Sequence, residues 1–535
     1  MSSFNKIFAH RSVVCFFVLM IFLLSGILRV AVIATDDYTA AQSAQSALRI
    51  PFSRPRGVIY DCNKIPLSGG KPRIVAAVSP RESAIMTLRK ILEDENDLPR
   101  VLEELSHGKP VVCTVKEAVD CDGIICTTVY DQPQEKSAAV HTLGYLDADG
   151  HGVGGLQAAF DDLLYCEETC DAVFYTDGRG KPLKGLSAEF ENPSGNSSGI
   201  VTTLDLTIQQ IAEQTADKLT RGAIVVCDVE SGKIRALVSR PTFDPQDPAA
   251  ALDGQGSPFL NRTLSVFSVG SVFKPCVAAA ALENGTDGAI HHCTGGLAIA
   301  ERTFRCHNRS GHGAVDLSSA LAFSCNTFFY QLALSMGGDP LYRMASSLSF
   351  GQSIRLCSGL ETVQGRLPQK RTLQNEGALA NLSIGQGELL LSPVALTTLY
   401  CAVAGNGTYR LPTLIEATLQ DGRETVFEVP HPTRVMSKHS AERLRQDLIG
   451  VISGGTGIPA KPQLVSAGGK TATAQTGQFD ENGREITYGW FCGFFPAENP
   501  KYVAVIFSEN ASGSDTAPIF AELADEIFAM KMNDL

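Results

Sequence analysis

The chain has 535 residues, enough for roughly two to four domains, with 45 basic against 57 acidic residues and a formal net charge of −12. That balance leaves no electrostatic footprint for nucleic acid. Fifteen cysteines are too dilute over this length for a disulfide-scaffold protein, and those in apolar runs (Cys227, Cys276, Cys401, Cys492) read as small core residues.

Residues 1–12 are polar, with Lys6, His10 and Arg11, and 13–34 form an apolar run broken only by Ser25 and Arg29. About twenty such residues cross a bilayer, and the positive flank stays in the cytoplasm. The run predicts a transmembrane signal anchor; the competing reading is a cleavable signal peptide with small residues near Ala31 to Ala34, for which the run is long. Either way the remainder works outside the cytoplasm. Residues 35–200 hold a strand-like piece (Gly57 to Asp61), a charged helical stretch (Arg81 to Leu105) and a Gly-punctuated segment from His141-Thr-Leu-Gly-Tyr145 to Gly155-Leu-Gln157. They show no catalytic constellation and read as a non-catalytic pedestal or interaction module. Asn192 to Gly199 is turn chemistry throughout and predicts a linker.

Residues 201–535 form the second module. A helix runs through Ile208, Ile211 and Ala212, and Gly222 to Asp228 with Lys233 to Ser239 reads as a hairpin turned at Glu230-Ser-Gly232. Far downstream, Ser466 to Gln475, Ile486 to Phe495 and Tyr502 to Ser508 read as three strands, turned at Asn482-Gly483 and Glu498-Asn-Pro500. The last helix carries Ile519, Leu523 and Ile527 on one face. The expected fold is α+β: five antiparallel strands drawn from both ends of the module, packed by the terminal helices, with a helical subdomain between them.

The chemistry centres on Gly270-Ser-Val-Phe-Lys-Pro275. Ser271 and Lys274 share a helix face, and Pro275 is harmless only near a helix start, so the helix is expected to begin at the serine. A serine nucleophile needs a base, and Lys274 serves when burial and a second cation depress its pKa. Lys470, in Gly468-Gly-Lys-Thr-Ala-Thr473, is the candidate second cation, and with Thr471 it is suited to a substrate carboxylate. Ser324-Cys325-Asn326 breaks an apolar helical stretch; its hydroxyl is suited to proton relay and its amide to a peptide bond. Cys293 and Cys306 flank a Gly-rich loop and are open to a disulfide. A zinc site with His291, His292, His307 and His312 is the other option, although no C-x-x-C or H-x-x-x-H pattern fixes a tetrahedron. Cys166 and Cys170 are a further disulfide candidate.

Together and in this order, S-x-x-K, S-x-N and K-T-x resemble the serine transpeptidase and β-lactamase superfamily. Arg56-Gly-Val-Ile-Tyr-Asp61, His141 to Tyr145, Asn261-Arg262, Gly385-Gln-Gly387, Lys470-Thr-Ala-Thr-Ala-Gln475 and Trp490-Phe-Cys-Gly493 are similar to class B penicillin-binding proteins over nearly the whole chain. The resemblance implies a penicillin-binding transpeptidase fold and a membrane-anchored peptidoglycan D,D-transpeptidase. It acts on stem peptides, is acylated by β-lactams, and needs no metal or organic cofactor. It implies Ser271 as nucleophile, Lys274 as base, Ser324 as shuttle and Asn326 as substrate clamp, with Lys470 and Thr471 at the carboxylate. The oxyanion hole is the backbone N–H groups of Ser271 and Thr473. The family pattern also implies a membrane glycosyltransferase partner. Departures are Ala472 in place of the usual glycine, Val269 in place of a proline and Gln157 in place of a glutamate. A β-lactamase is the nearest alternative, but no E-x-x-L-N stands in the expected interval. A catalytically weak scaffold in wall assembly is the other, but no catalytic residue is missing.

Overall fold

The computed structural model describes residues 2–35, 47–54, 56–68, 72–130, 138–177, 181–183, 186–191, 198–420 and 422–533. Most of the expected linker, Asn192 to Ser197, lies outside them. By contact the chain forms two compact units, residues 1–55, 70–131 and 166–196 in one, and 56–69, 132–165 and 197–535 in the other. The division therefore differs from a single boundary near residue 200. One reason is that Val58–Tyr60 pairs in parallel with Gly199–Thr202, so an early strand is completed by the start of the later region.

The first unit begins with helix α1 (Ser2–Thr35), in which His10–Val32, 23 residues of mean hydropathy 2.7, is long and apolar enough to cross a membrane. An antiparallel sheet orders Val111–Val115, Pro72–Val78 and Ile124–Tyr130. The charged stretch is two helices, Glu82–Ile91 and Leu98–Ser106, the second opened by Pro99 where its missing N–H costs nothing. Their buried residues, Ala84, Leu88, Val101 and Leu105, form one core with that sheet.

The second unit is an α+β domain. Helix α2 (Leu206–Ala216) starts at Asp205, whose carboxylate accepts from the N–H groups of Thr207 and Ile208. Strands β1 (Gly222–Asp228) and β2 (Ile234–Arg240) form the expected hairpin. Then come helices α3 (Lys274–Asn284), α4 (Leu317–Ala322), α5 (Asn326–Met336), α6 (Pro393–Ala404) and α7 (Lys438–Gly454). Strands β3 (Gly468–Phe479), β4 (Glu485–Phe495) and β5 (Tyr502–Glu509) and helix α8 (Gly513–Asn533) complete it. The sheet runs β2-β1-β5-β4-β3, antiparallel throughout.

Strand alternation divides the core into two layers. Ile224, Val226, Phe491 and Ile506 share one cluster with Ile208 of α2 and Phe520, Leu523 and Ile527 of α8. Val225, Trp490, Val505 and Phe507 share the other with Leu396 and Leu399 of α6 and Val277 of α3. Each such buried apolar side chain contributes ~2 kcal/mol. Strand β3, which carries Lys470, lies at the end of the sheet, so among the described residues one of its edges pairs with no strand.

Candidate active site

Ser271 lies on a 3-10 turn, Gly270–Phe273, and α3 proper begins at Lys274, three residues later than expected. Pro275 occupies the first turn of α3, and the tight turn ahead of it carries the serine. Buried hydrogen bonds hold this turn. Trp490 Nε1 donates to Ser268 O at 2.9 Å, Tyr400 Oη to Val272 O at 3.0 Å, and Gly270 N to Gly385 O at 2.8 Å. Gly385 has φ +72°, and a Cβ there would stand 2.0 Å from Gly270 O. Only glycine fits so close an approach. This accounts for Gly385 within Gly385-Gln-Gly387, to which the sequence attached no role.

The structure brings Ser271, Lys274, Ser324 and Asn326 together. Lys274 Nζ donates to Ser324 O at 2.7 Å, to Ser324 Oγ at 3.1 Å and to Asn326 Oδ1 at 2.8 Å. Ser324 Oγ in turn donates to Ser271 Oγ at 3.2 Å. The sequence led us to expect Ser271 and Lys274 to touch; instead Ser324 stands between them. Ser324 reaches this position with φ +53°, a left-handed backbone that is strained for a non-glycine residue, at the turn between α4 and α5. Burial pushes the Lys274 amine down to about 7, against the opposing pull of Cys325 and Cys306. Lys470 is not a cause of that shift, contrary to expectation; the Lys470 amine is itself held well down, by burial first and by the Lys274 charge second.

On β3, Lys470 has no exposed surface, whereas Thr473 is exposed. Lys470 Nζ donates to Thr471 O at 3.2 Å and to Thr456 Oγ1 at 3.5 Å, and Thr471 Oγ1 donates to Thr456 Oγ1 at 3.1 Å. Thr473 Oγ1 accepts from Gly513 N at 3.0 Å, at the start of α8, which leaves its own proton to donate. Thr456 escaped the sequence reading because a threonine among glycines, Gly454-Gly-Thr-Gly457, reads as a turn.

Cys325, the middle residue of S-x-N, belongs to a second constellation. Cys293, Cys306, His312 and Cys325 each bring one donor atom to within 4.8 Å of the others, and three of the four residues are buried. All the cysteines are free thiols, so neither Cys293 with Cys306 nor Cys166 with Cys170 is a disulfide. Of the histidines considered, His312 joins the nest; its Nδ1 lies 3.6 Å from Cys306 Sγ. His291 and His292 do not join it, and His307 Nδ1 is 3.9 Å from Cys306 Sγ. The Cys306 thiol is held far down, chiefly by a hydrogen bond from Cys325, whose own thiol is pushed up by the same contact. The donor set, three cysteine sulfurs and one imidazole nitrogen, is of the kind that holds zinc. Sequence spacing hid it, because the fourth ligand lies inside the catalytic motif.

The departures find places as well. Ala472 is buried in the core with Ala474 and Trp490, and Val269 is fully buried ahead of the turn. Gln157 Oε1 accepts from Arg56 Nε at 2.8 Å, while Arg56 takes its counter-charge from Asp161 Oδ1 at 2.8 Å. The carboxylate missing at residue 157 is thus supplied one helical turn later.

The penicillin-binding protein transpeptidase domain model matches residues 222–525. The chain belongs to this family. Peptidoglycan D,D-transpeptidase MrdA of Escherichia coli K12 is 25% identical over 611 residues, covering 98% of this chain and 94% of that protein. Stage V sporulation protein D of Bacillus subtilis is 27% identical over 501 residues, covering 87% and 76%. Apo penicillin binding protein 3 from Mycobacterium tuberculosis superposes with a TM-score of 0.65 at 25% identity, covering 91% of this chain and 98% of that one. The match over nearly the whole chain makes this chain a class B penicillin-binding protein.

Proposed function

We propose that this class B penicillin-binding protein cross-links peptidoglycan stem peptides by D,D-transpeptidation through an acyl-enzyme on Ser271. The observation that carries this reading is the unbroken line from Ser271 Oγ through Ser324 Oγ to a buried Lys274 amine. Ser271 attacks the carbonyl of the penultimate D-Ala once the Ser324 hydroxyl turns its proton to the lone pair of neutral Lys274, so that the Ser271 proton passes to Ser324 as Ser324 gives its own to Lys274. Asn326 spends its Oδ1 on Lys274, so its Nδ2 remains to grip a peptide carbonyl. The backbone N–H groups of Ser271 and Thr473 stabilise the oxyanion, at ~3 to 4 kcal/mol per donor. The terminal D-Ala leaves, and an amine of a neighbouring stem takes the acyl group. β-Lactams acylate the same serine. Thr471 and Thr473 hold the substrate carboxylate, and Lys470, with no exposed surface, stands behind them rather than against it.

In this reading residues 1–12 lie in the cytoplasm, 13–34 cross the membrane, 35–200 serve as pedestal, and 201–535 act on the wall beside a membrane glycosyltransferase. A zinc ion held by Cys293, Cys306, His312 and Cys325 fastens the S-x-N turn and takes no part in the acyl transfer. The test is labelling of the full chain with fluorescent penicillin. Wild type labels and Ser271→Ala does not; equal labelling of the two sinks the nucleophile assignment. Unlabelled wild type would point to a scaffold, and rapid turnover of nitrocefin to a lactamase.

A further inference from the structure

Lys470 is the one member of the carboxylate site without any exposed surface, so its Nζ is not placed to meet a ligand directly. Its two bonds are long, 3.2 Å to Thr471 O and 3.5 Å to Thr456 Oγ1, for a group with three donors. A buried amine so thinly paired has hydrogen-bonding capacity left over. Two hydroxyls touch or adjoin it from the open side, Thr471, at 8% exposure, and Thr456, which is exposed.

Thr456 is held there by its backbone. Its N–H donates to Ala322 O at 2.9 Å, and a Cβ on Gly455 would come within 2.3 Å of the same carbonyl. Gly455 and Thr456 therefore lie flat against the turn that leads to Ser324, and the Thr456 side chain bridges from that wall to β3. A hydroxyl has two lone pairs and one proton. Both lone pairs of Thr456 Oγ1 are engaged, by Lys470 Nζ and Thr471 Oγ1, which leaves its proton for an acceptor on the exposed side. Hydrogen bonds in a chain polarise one another, so a hydroxyl that accepts from both Lys470 and Thr471 is a stronger donor.

We propose that Thr456 is a substrate-binding residue of this site, its hydroxyl donating to the free carboxylate of the stem peptide or β-lactam and passing on the attraction of buried Lys470. The inference rests on the transpeptidase reading above. Its test uses the full chain and two probes, benzylpenicillin and its methyl ester, which differ only in the carboxylate. Thr456→Val slows acylation by benzylpenicillin about tenfold, the value of one hydrogen bond to a charged group, and leaves the ester within about twofold of wild type. Thr456→Ser restores the benzylpenicillin rate. Thr456→Ala serves as a second variant, held to the same ratio between probes, and thermal unfolding confirms that each variant is folded. Equal slowing of both probes, or of neither, overturns the assignment. Ser271→Ala must block both probes; if it does not, the nucleophile reading has failed, which is a separate outcome.

Discussion

Lys274 has to be neutral to receive a proton, and burial holds its pKa near 7. The neutral fraction grows as pH climbs through that value, so the acylation rate by benzylpenicillin is expected to rise about tenfold between roughly pH 6 and 8 and then level off. Stopped-flow acylation across that range checks it; a flat profile would remove Lys274 as base. At this scale the side chains that meet around Ser271 were legible in the sequence, because nucleophilic chemistry restricts residue type and S-x-x-K, S-x-N and K-T-x keep their order. What was not legible was the wiring. In place of a direct Ser271–Lys274 hydrogen bond the connection runs through Ser324, which comes from a turn fifty residues away that the local three-residue spacing cannot report. Thr456 and Cys325 stayed hidden for a different reason: each occupies a position whose local pattern already had a sufficient explanation.

At the scale of elements, the nucleophile turn is held by its neighbours rather than by its own propensity. Replacing Gly385 by alanine places a methyl against Gly270 O in a backbone of positive φ, so Gly385→Ala should lose ~2 kcal/mol or more of stability and most of its penicillin labelling. Thermal unfolding read beside labelling checks both. Arg262, 2% exposed, pairs with Glu509 Oε1 at 2.6 Å, tying the segment before the nucleophile to the end of β5. Glu509 is part-exposed and keeps Arg221 at 3.6 Å, so the main loss in Arg262→Met is the bonds of the buried guanidinium, ~1 to 3 kcal/mol, and the variant should unfold a few degrees below wild type in a calorimetric scan. The thiol nest makes a third case. Purified protein is expected to contain about one zinc per chain by elemental analysis, and Cys306→Ser to lose both the metal and several degrees of thermal stability. Metal-free protein of undiminished stability would remove the site. Strands and terminal helices were readable from alternation and from Asn-Gly and Gly turns. The break in the charged stretch between Arg81 and Leu105 was signalled by Pro99, and reading that stretch as continuous gave its charge pattern too much weight.

At the scale of the molecule, the five strands come from the two ends of the domain. Gly222 of β1 lies opposite Ser508 of β5, and the strand carrying Lys470 joins the sheet only through β4. Composition could suggest that five strands exist, but not where the units divide, because residues 56–69 and 132–165 pack with chain that follows them much later. This arrangement bears on how the protein is made. A chain synthesised from its N-terminus produces Ser271 and Lys274 long before it produces the central strand between β1 and β4. The hairpin β1–β2 must wait, edge exposed, through the synthesis of the whole helical subdomain. Such long-range pairing folds slowly and leaves an unpaired strand open to aggregation. A chain stopped before Tyr502 should therefore be insoluble, although Ser271, Lys274, Ser324, Asn326, Lys470 and Thr471 are all present in it.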